Sequence, residues 1–463
     1  MFAAGILLHG FGPRYDLPIS LAIYLFAAAG VVAISFVLVV LFAGERVGSK
    51  ALEYPRKPVS SLARIARSPV PRLVGGAIGV AGLVATIVTG LFGSTKPGLN
   101  PAEYLVWIYF WAGTVILSGL VGNLWHLINP WSAIYDAVTR FVRLGPLWKL
   151  PSIGVWPAAL AYFAFACLEL TSGMANRPWL VATLALAYSA VTLAGMVLFG
   201  RDDWLEHCEA FTVLFGIIGR FGPLEAERDP SGRIAMVYLR PWGVGLLKPG
   251  PTGWDQVVFV VLMLSTLAFD GIIATNAWQE FTVALEPIWL PMGSLGFFFV
   301  RTLGLVLLTC SFLLVFVAVM RLVIFFGMRK VDLKATISAF ALTLVPIALV
   351  YNAAHNYSYL VVQSQSLIPL LNDPLGKGWN LWPAVAQYKP SFTLAQVSTV
   401  WYVQVVLIVL GHIIAVYLSH LRAGERFRTA QRVLLSQYPM LLLMVTYTMT
   451  SLWILAQPIT REP

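Results

Sequence analysis

Several long apolar stretches of the chain contain isolated ionisable side chains. Asp270 stands in Phe269-Asp270-Gly271, Arg301 follows a run of phenylalanines, and His355 follows two alanines in an apolar stretch. A charged side chain at the centre of a bilayer costs about 3 kcal/mol, so such positions are functional candidates by default. A neutral imidazole can bind a metal ion or act as a general base, and a carboxylate can orient it or complete the coordination. We therefore expect His355 and Asp270 at the centre of a polar cavity.

Four further polar side chains are expected to line the same cavity. Asn352 and Asn356 lie close to His355 in the chain, and Tyr402 and Gln404 begin the next apolar run. The distribution of lysines and arginines in the loops predicts the direction of each helix. In that topology all four side chains fall in the outer half of the membrane or near its midplane. The sequence thus predicts one cavity that opens outward.

The same residues are compatible with three other interpretations. Interhelical hydrogen bonds and one Asp270–Arg301 ion pair could simply hold a helix bundle together. A transporter or metal-handling protein would use an outward cavity and a helix broken at Pro346 equally well. Ligation of haem b by His355 and His412 requires both side chains at similar depth, and His412 is expected to lie deeper.

His9 is a further candidate metal ligand, with His355 and Asp270 as its partners. It stands in His9-Gly10, which the topology below places on the outer side of the membrane. If a leader is cleaved just before it, its free amine and its ring could together chelate copper. The segment ahead of His9 is too short to be a complete signal peptide. The alternative interpretation of His9 is an ordinary exposed histidine. A divalent metal ion is one cofactor that these residues could hold, and they do not specify which.

The composition is that of an integral membrane protein. The chain has 463 residues, of which 59% are hydrophobic and 11% are charged, and its mean hydropathy is +0.79. Soluble domains average about 25% charged residues, so this chain cannot cover a soluble surface of its size. The net charge of +10 comes from basic residues in short loops between apolar runs. That is the positive-inside pattern of membrane proteins, which favours the lipid bilayer over nucleic acid as the partner.

The apolar runs predict an all-α, polytopic transmembrane helix bundle of about ten spans, a single integral-membrane domain over residues 1–463. Each run is long enough, at about 1.5 Å per residue, to cross about 30 Å of hydrocarbon. Most of the 31 lysines and arginines lie in alternate loops, which predicts that both termini are outside. The predicted spans are 17–43, 73–93, 102–123, 152–171, 178–199, 254–275, 294–326, 335–364, 397–419 and 438–457.

Three segments on the cytoplasmic side are expected to be more than loops. Residues 124–143 and 204–220 are amphipathic, which predicts short helices lying in the membrane interface. The turn sequence Asp229-Pro230-Ser231-Gly232 precedes a β-rich run that ends at Leu239, which predicts a small cytoplasmic hairpin. Within the eighth span, Pro346 predicts a kink.

A set of short motifs is spread over nearly the whole chain. They are His9-Gly10 with Asp16-Leu17-Pro18-Ile19, Ile128-Asn129-Pro130-Trp131, Phe269-Asp270-Gly271, Ala354-His355, Asn372-Asp373-Pro374-Leu375-Gly376, Trp401-Tyr402-Val403-Gln404-Val405, Gly411-His412 and Ser436-Gln437-Tyr438. In this combination and order, the chain resembles the bacterial membrane proteins named fenitrothion hydrolases.

The resemblance implies a multi-pass enzyme of the bacterial inner membrane that hydrolyses organophosphorus triesters such as fenitrothion, together with a second membrane subunit. Phosphotriester hydrolysis needs an activated water, typically metal-bound, and an electrophilic group on the phosphoryl oxygen. His355, Asp270 and His9 could hold a metal ion, and Arg301 could polarise the phosphoryl oxygen. An apolar aryl triester would partition into the bilayer and enter from the outer leaflet.

Overall fold

The computed structural model describes residues 20–42, 52–142, 145–230, 233–248, 253–328, 331–427 and 429–457. Regular structure in these residues is almost entirely helical, and the described β-structure is one small sheet. This confirms the predicted all-α helix bundle.

The helices are numbered here in chain order. The first eleven are α1 (Leu21–Phe42), α2 (Ser60–Arg67), α3 (Val70–Phe92), α4 (Pro101–Glu103), α5 (Thr114–Val121), α6 (Trp125–Ile128), α7 (Pro130–Val138), α8 (Trp156–Leu170), α9 (Pro178–Phe199), α10 (Arg201–His207) and α11 (Ala210–Gly219). The others are α12 (Trp254–Ile273), α13 (Asn276–Ala284), α14 (Glu286–Trp289), α15 (Gly293–Phe326), α16 (Leu333–Ala341), α17 (Val345–His355), α18 (Tyr357–Val362), α19 (Leu367–Leu370), α20 (Pro383–Ala386), α21 (Val397–Arg426) and α22 (Ala430–Leu455). A π-helix over Tyr104–Gly113 joins α4 to α5.

Nine helical segments among the described residues are long and apolar enough to cross a membrane. They match nine of the predicted spans, whereas the predicted span 152–171 contains only the 15-residue α8. At 1.5 Å per residue α8 is about 22 Å long, which is shorter than the hydrocarbon core. Large apolar side chains on the long helices, such as Phe26, Leu314 and Leu442, are about two-thirds exposed. A multi-pass membrane protein surrounded by lipid explains this surface, while the outside location of both termini stays a prediction.

The predicted eighth span, 335–364, is interrupted twice. α16 ends at Ala341, a 3₁₀ turn covers Leu342–Leu344, and α17 begins at Val345. Pro346 therefore lies directly after a change of helical hydrogen bonding within the apolar segment Leu333–His355, and the kink predicted there stays a prediction. α17 then ends at His355, short of the predicted boundary.

The chain forms two compact units, of which the first comprises the described residues within 56–239 and 356–396. Its interior contains an aromatic cluster, in which Phe110 meets Phe211 and Phe215 edge to face and Trp125 packs on Phe215. α11 lies inside this unit, with buried side chains all round it. The predicted interfacial helix over 204–220 is therefore wrong, because the segment divides into α10 and a buried α11.

A three-stranded antiparallel sheet belongs to the first unit. Its strands are β1 (Lys57–Pro58), β2 (Leu224–Arg228) and β3 (Ile234–Leu239), in the order β1-β3-β2. β2 and β3 form the predicted hairpin, although residues 231 and 232 of its turn lie outside the described residues. That the hairpin is cytoplasmic stays a prediction.

The second unit comprises the described residues within 12–55, 240–355 and 397–463. α17, α21 and α22 pack together in it, and α1 lies against α21 and α22. Gly411 on α21 permits a close approach to α17, because a Cβ at that position would lie 2.2 Å from Cγ2 of Val350. This packing positions most of the candidate site. That all residues share one integral-membrane domain stays a prediction.

Candidate functional site

Asp270 and His355 meet in the second unit. Asp270 lies near the C-terminal end of α12, His355 is the last residue of α17, and the two helices pack against each other. Nε2 of His355 is 2.9 Å from Oδ2 of Asp270, and the side chains are 12% and 9% exposed. The contact has the distance of an ion pair but not the angle of a directed hydrogen bond. Two acceptor atoms placed in this way can share a proton, a water molecule or a cation.

Tyr351 packs against the same pair from one turn earlier on α17. Its ring lies parallel to that of His355, with the centroids 5.8 Å apart and the planes 8° apart. Its hydroxyl reaches α12, since a Cβ on Gly271 would lie 2.3 Å from the Tyr351 oxygen. The glycine after Asp270 therefore makes room for the phenol.

Three buried hydrogen-bond donors in this region have no partner among the described residues. They are Oη of Tyr24, Oη of Tyr351 and Nε1 of Trp401, and we call these residues the donor cluster. Tyr24 and Trp401 meet edge to face with centroids 5.6 Å apart, and all three residues share one contact cluster that includes Ala354. An unsatisfied buried donor costs about 1–3 kcal/mol, so these groups require an acceptor supplied by water or a ligand.

The predicted cavity residues of the second unit differ in their placement. Asn352 is buried on α17, and Nε2 of Gln404 donates to the carbonyl oxygen of Ala354 over 3.2 Å, which ties α21 to α17. Tyr402 is 68% exposed, so the structure does not place it in the buried region with the pair. Successive helical residues point about 100° apart, and Trp401 takes the inward position instead.

Arg301 is buried on α15. Its guanidinium lies over the ring of Phe297, 4.2 Å from the centroid. α15 packs against α12 close to the site, because a Cβ on Gly304 would lie 3.1 Å from Cε2 of Phe269. The structure thus places Arg301 on a helix adjoining the one that carries Asp270.

Of the remaining candidates, Asn356 and His412 are buried, and His9 is not described. Asn356 is buried, but it begins the 356–396 segment of the first unit, where it precedes α18. His9 lies outside the described residues. His412 is fully buried, and its Nδ1 donates to the carbonyl oxygen of Ile408 over 2.8 Å. That bond assigns the ring proton to Nδ1 and anchors the imidazole to its own helix.

The described residues contain no group of three His, Cys, Asp or Glu side chains that could hold a metal ion. Asp270 and His355 supply two ligands, whereas catalytic zinc sites take three from the protein. The described part of the chain therefore does not complete such a site, and the predicted third ligand, His9, lies outside it. A metal ion at this site stays a prediction.

Sequence reasoning missed the whole donor cluster. Tyr24, Tyr351 and Trp401 lie in apolar helices, where an aromatic residue is more often packing than function. The spacing of Tyr351 and His355, four residues apart on one helical face, is the one signal that pointed to a site member.

A surface depression of about 540 Å³ lies in the first unit. Its lining holds none of the predicted site residues and consists of Thr95, Pro97, Gly173, Asn176, Arg177 and Trp179.

Comparisons with protein-family models, with curated proteins and with solved structures found no match to this chain.

Proposed function

We propose that this chain is a multi-pass hydrolase of the bacterial inner membrane that cleaves apolar organophosphorus triesters at the Asp270–His355 pair. The observation that carries the proposal is the 2.9 Å approach of His355 Nε2 to Asp270 Oδ2 in a largely buried position. A carboxylate beside an imidazole is the arrangement that general-base catalysis uses, and it is costly to keep among apolar helices without a function. The resemblance to fenitrothion hydrolases supports the same reaction.

In the proposed reaction, His355 removes a proton from a water molecule whose oxygen attacks the phosphorus atom. The new P–O bond forms as the bond from phosphorus to the aryl oxygen breaks. The proton then passes from His355 to the departing aryloxide, so that one triester and one water give a diester and a phenol. Asp270 stabilises the imidazolium that forms in between.

The donor cluster is proposed to receive the phosphoryl or thiophosphoryl group. Negative charge develops on that group during attack, and preorganised donors in a dry site stabilise it. Tyr24, Tyr351 and Trp401 are neutral donors, which suits a neutral triester, and Arg301 adds a positive charge from α15. An uncharged aryl triester reaches such a site through the lipid. We also propose, from the resemblance alone, that a second membrane subunit accompanies the chain.

The test is the release of the phenol product from fenitrothion by the purified full-length chain in detergent, with and without a coexpressed neighbouring membrane subunit. Asp270→Asn and His355→Gln are expected to lower kcat/KM at least about 100-fold. Tyr402→Phe is the matched control, because this exposed hydroxyl on α21 lies outside the site. Metal content is measured on the same samples by mass spectrometry.

Turnover that both variants lose and the control keeps supports the proposal. If the wild type contains a stoichiometric metal ion that the same variants lack, the metal ion binds at the Asp270–His355 pair. Absence of turnover with and without the second subunit overturns the proposal, and so do variants that work at the wild-type rate.

Transport is the second candidate, and the end of α17 at His355, within the predicted eighth span, favours it. Discontinuous helices with a polar site beside the break are a recurring architecture of secondary transporters. Transport requires two compartments, so product formed in detergent distinguishes hydrolysis from it. Uptake of an intact triester into proteoliposomes, lost in Asp270→Asn without any product, would replace the first candidate with the second.

A further inference from the structure

Arg228 contacts His126 in α6, and two further arginines of the first unit, Arg72 and Arg201, lie near enough for their charges to act on it. Arg228 on β2 places Nη2 3.1 Å from Nε2 of His126. Since a guanidinium only donates, Nε2 accepts this bond, and the ring proton of the neutral histidine lies on Nδ1. His126 therefore keeps one N–H donor beside a cation.

Arg72 approaches from the first turn of α3. One turn later this helix touches α6, because a Cβ on Gly75 would lie 2.6 Å from the carbonyl oxygen of Leu127. The charges of Arg72 and Arg201 both act on His126. Arg72 itself is exposed at the end of the helix.

Arg201 completes the group from the start of α10. Its Nη2 donates to Oγ of Ser132 on α7 over 2.6 Å. Its Nε lies 3.2 Å from Asp136, and its Nη1 donates to Asp202 over 2.9 Å. Both acidic side chains thus contact Arg201, which holds this guanidinium in place between two helices.

The surroundings of the cluster indicate the source of a ligand. α3 is a candidate membrane span, and the residues that follow Arg72 on it are apolar and exposed: Leu73 is 52%, Val74 54% and Ile78 61% exposed. The cluster therefore lies where a surface that faces acyl chains ends and basic side chains begin. This is the level of lipid phosphates, and basic pockets between helices bind anionic headgroups there.

We propose that Arg72, Arg201, Arg228 and His126 form a binding site for the phosphate of an anionic phospholipid, whose acyl chains lie along Leu73, Val74 and Ile78. Guanidinium groups match the oxygens of a phosphate, and the Nδ1–H of His126 supplies a further donor. The site is in the first unit, and it does not depend on the proposed hydrolase activity.

Native mass spectrometry of the full-length chain measures lipid binding at the site. The probes are phosphatidylglycerol and phosphatidylcholine with identical acyl chains. Arg72→Gln/Arg228→Gln is expected to weaken phosphatidylglycerol binding roughly 25-fold, at about fivefold for each arginine. Arg64→Gln/Arg140→Gln removes the same charge from exposed arginines that do not act on His126, and is expected to weaken binding less than about threefold. Phosphatidylcholine binding is expected to be weak and equal in all three proteins.

Three results would overturn the site. If the wild type binds the two lipids equally, the site does not select anionic headgroups. If the two double variants lose equal affinity for phosphatidylglycerol, the lipid does not bind at Arg72 and Arg228. Displacement of phosphatidylglycerol by inorganic phosphate at similar concentration would show that the ligand is free phosphate rather than lipid. If the double variant does not fold, Arg72→Gln alone makes the same comparison against Arg64→Gln.

Discussion

The ring of Tyr351 lies parallel to the imidazole of His355, 5.8 Å away, while its hydroxyl lies beside Gly271 on the neighbouring helix. One side chain thus touches both helices that carry the candidate pair. The orientation of the imidazole on α17 is thereby coupled to the position of Asp270 on α12.

Tyr351→Phe is expected to separate function from stability. The ring contact with His355 is kept, and an unpartnered buried hydroxyl is removed, so the free energy of unfolding should stay the same or rise by about 1 kcal/mol. Triester hydrolysis should fall roughly 10-fold to 100-fold, since a donor to the phosphoryl group is lost. Thermal unfolding and turnover are measured on one preparation. A variant that is less stable but equally active would show that the hydroxyl is structural.

Gly271→Ala is expected to destabilise the second unit by about 1–3 kcal/mol. The added Cβ would lie 2.3 Å from the Tyr351 oxygen and 2.4 Å from Cγ2 of Ile454. In the background of Tyr351→Phe the first clash is absent, so part of the loss should be recovered. A double-mutant cycle of unfolding midpoints measures this coupling. Strict additivity of the two substitutions would contradict the contact.

Glu209 is expected to be essential for the stability of the first unit. The buried carboxylate accepts hydrogen bonds from the Tyr188 hydroxyl over 2.7 Å and from the backbone N–H groups of Phe211 and Thr212. Burial raises the pKa of Glu209, and these hydrogen bonds oppose the rise. Glu209→Leu leaves the donors unpaired and should cost at least about 3 kcal/mol. Glu209→Gln keeps one acceptor and should cost less, and equal unfolding midpoints for the two variants would refute the role.

His126 predicts a pH dependence of stability. Burial, together with the charges of Arg228, Arg72 and Arg201, lowers the pKa of His126 to about 4, against about 6.5 in an unfolded chain. The unfolded chain binds more protons between these values, so the contribution of His126 is complete above about pH 6.5 and declines as the pH falls towards 4.

The measurement for His126 is the difference in Tm between the wild type and His126→Gln, followed from about pH 7.5 to about pH 5. Because glutamine does not titrate, the difference should move in favour of the variant as the pH falls. A constant difference, or one that moves in favour of the wild type, would show that the histidine is not held neutral.

Much of the fold was predictable from single segments. An apolar run long enough to cross hydrocarbon must satisfy its backbone hydrogen bonds internally, so it becomes a helix whatever its neighbours are. α11 was misjudged because its apolar residues at helical spacing look like one face of a surface helix, while its remaining positions are also apolar and are buried. The length of α8 was overestimated because apolar residues on either side of it extended the apolar run in the sequence.

The site was predictable only in part. Asp270 and His355 were identified because an ionisable group among apolar residues is conspicuous, and the structure does bring them together. Tyr402 was chosen where Trp401 takes the inward position, because a pattern of polar residues does not specify the rotation of a helix about its axis.

The sequence by itself determined the membrane location, the helices and the pairing candidates, because transfer free energy and backbone hydrogen bonding depend on local composition. Only the tertiary structure decided which side chains share one buried region. Tyr24, Tyr351 and Trp401 come from three helices, and only the packing of those helices places them in one buried cluster, in which Tyr351 also stacks on His355.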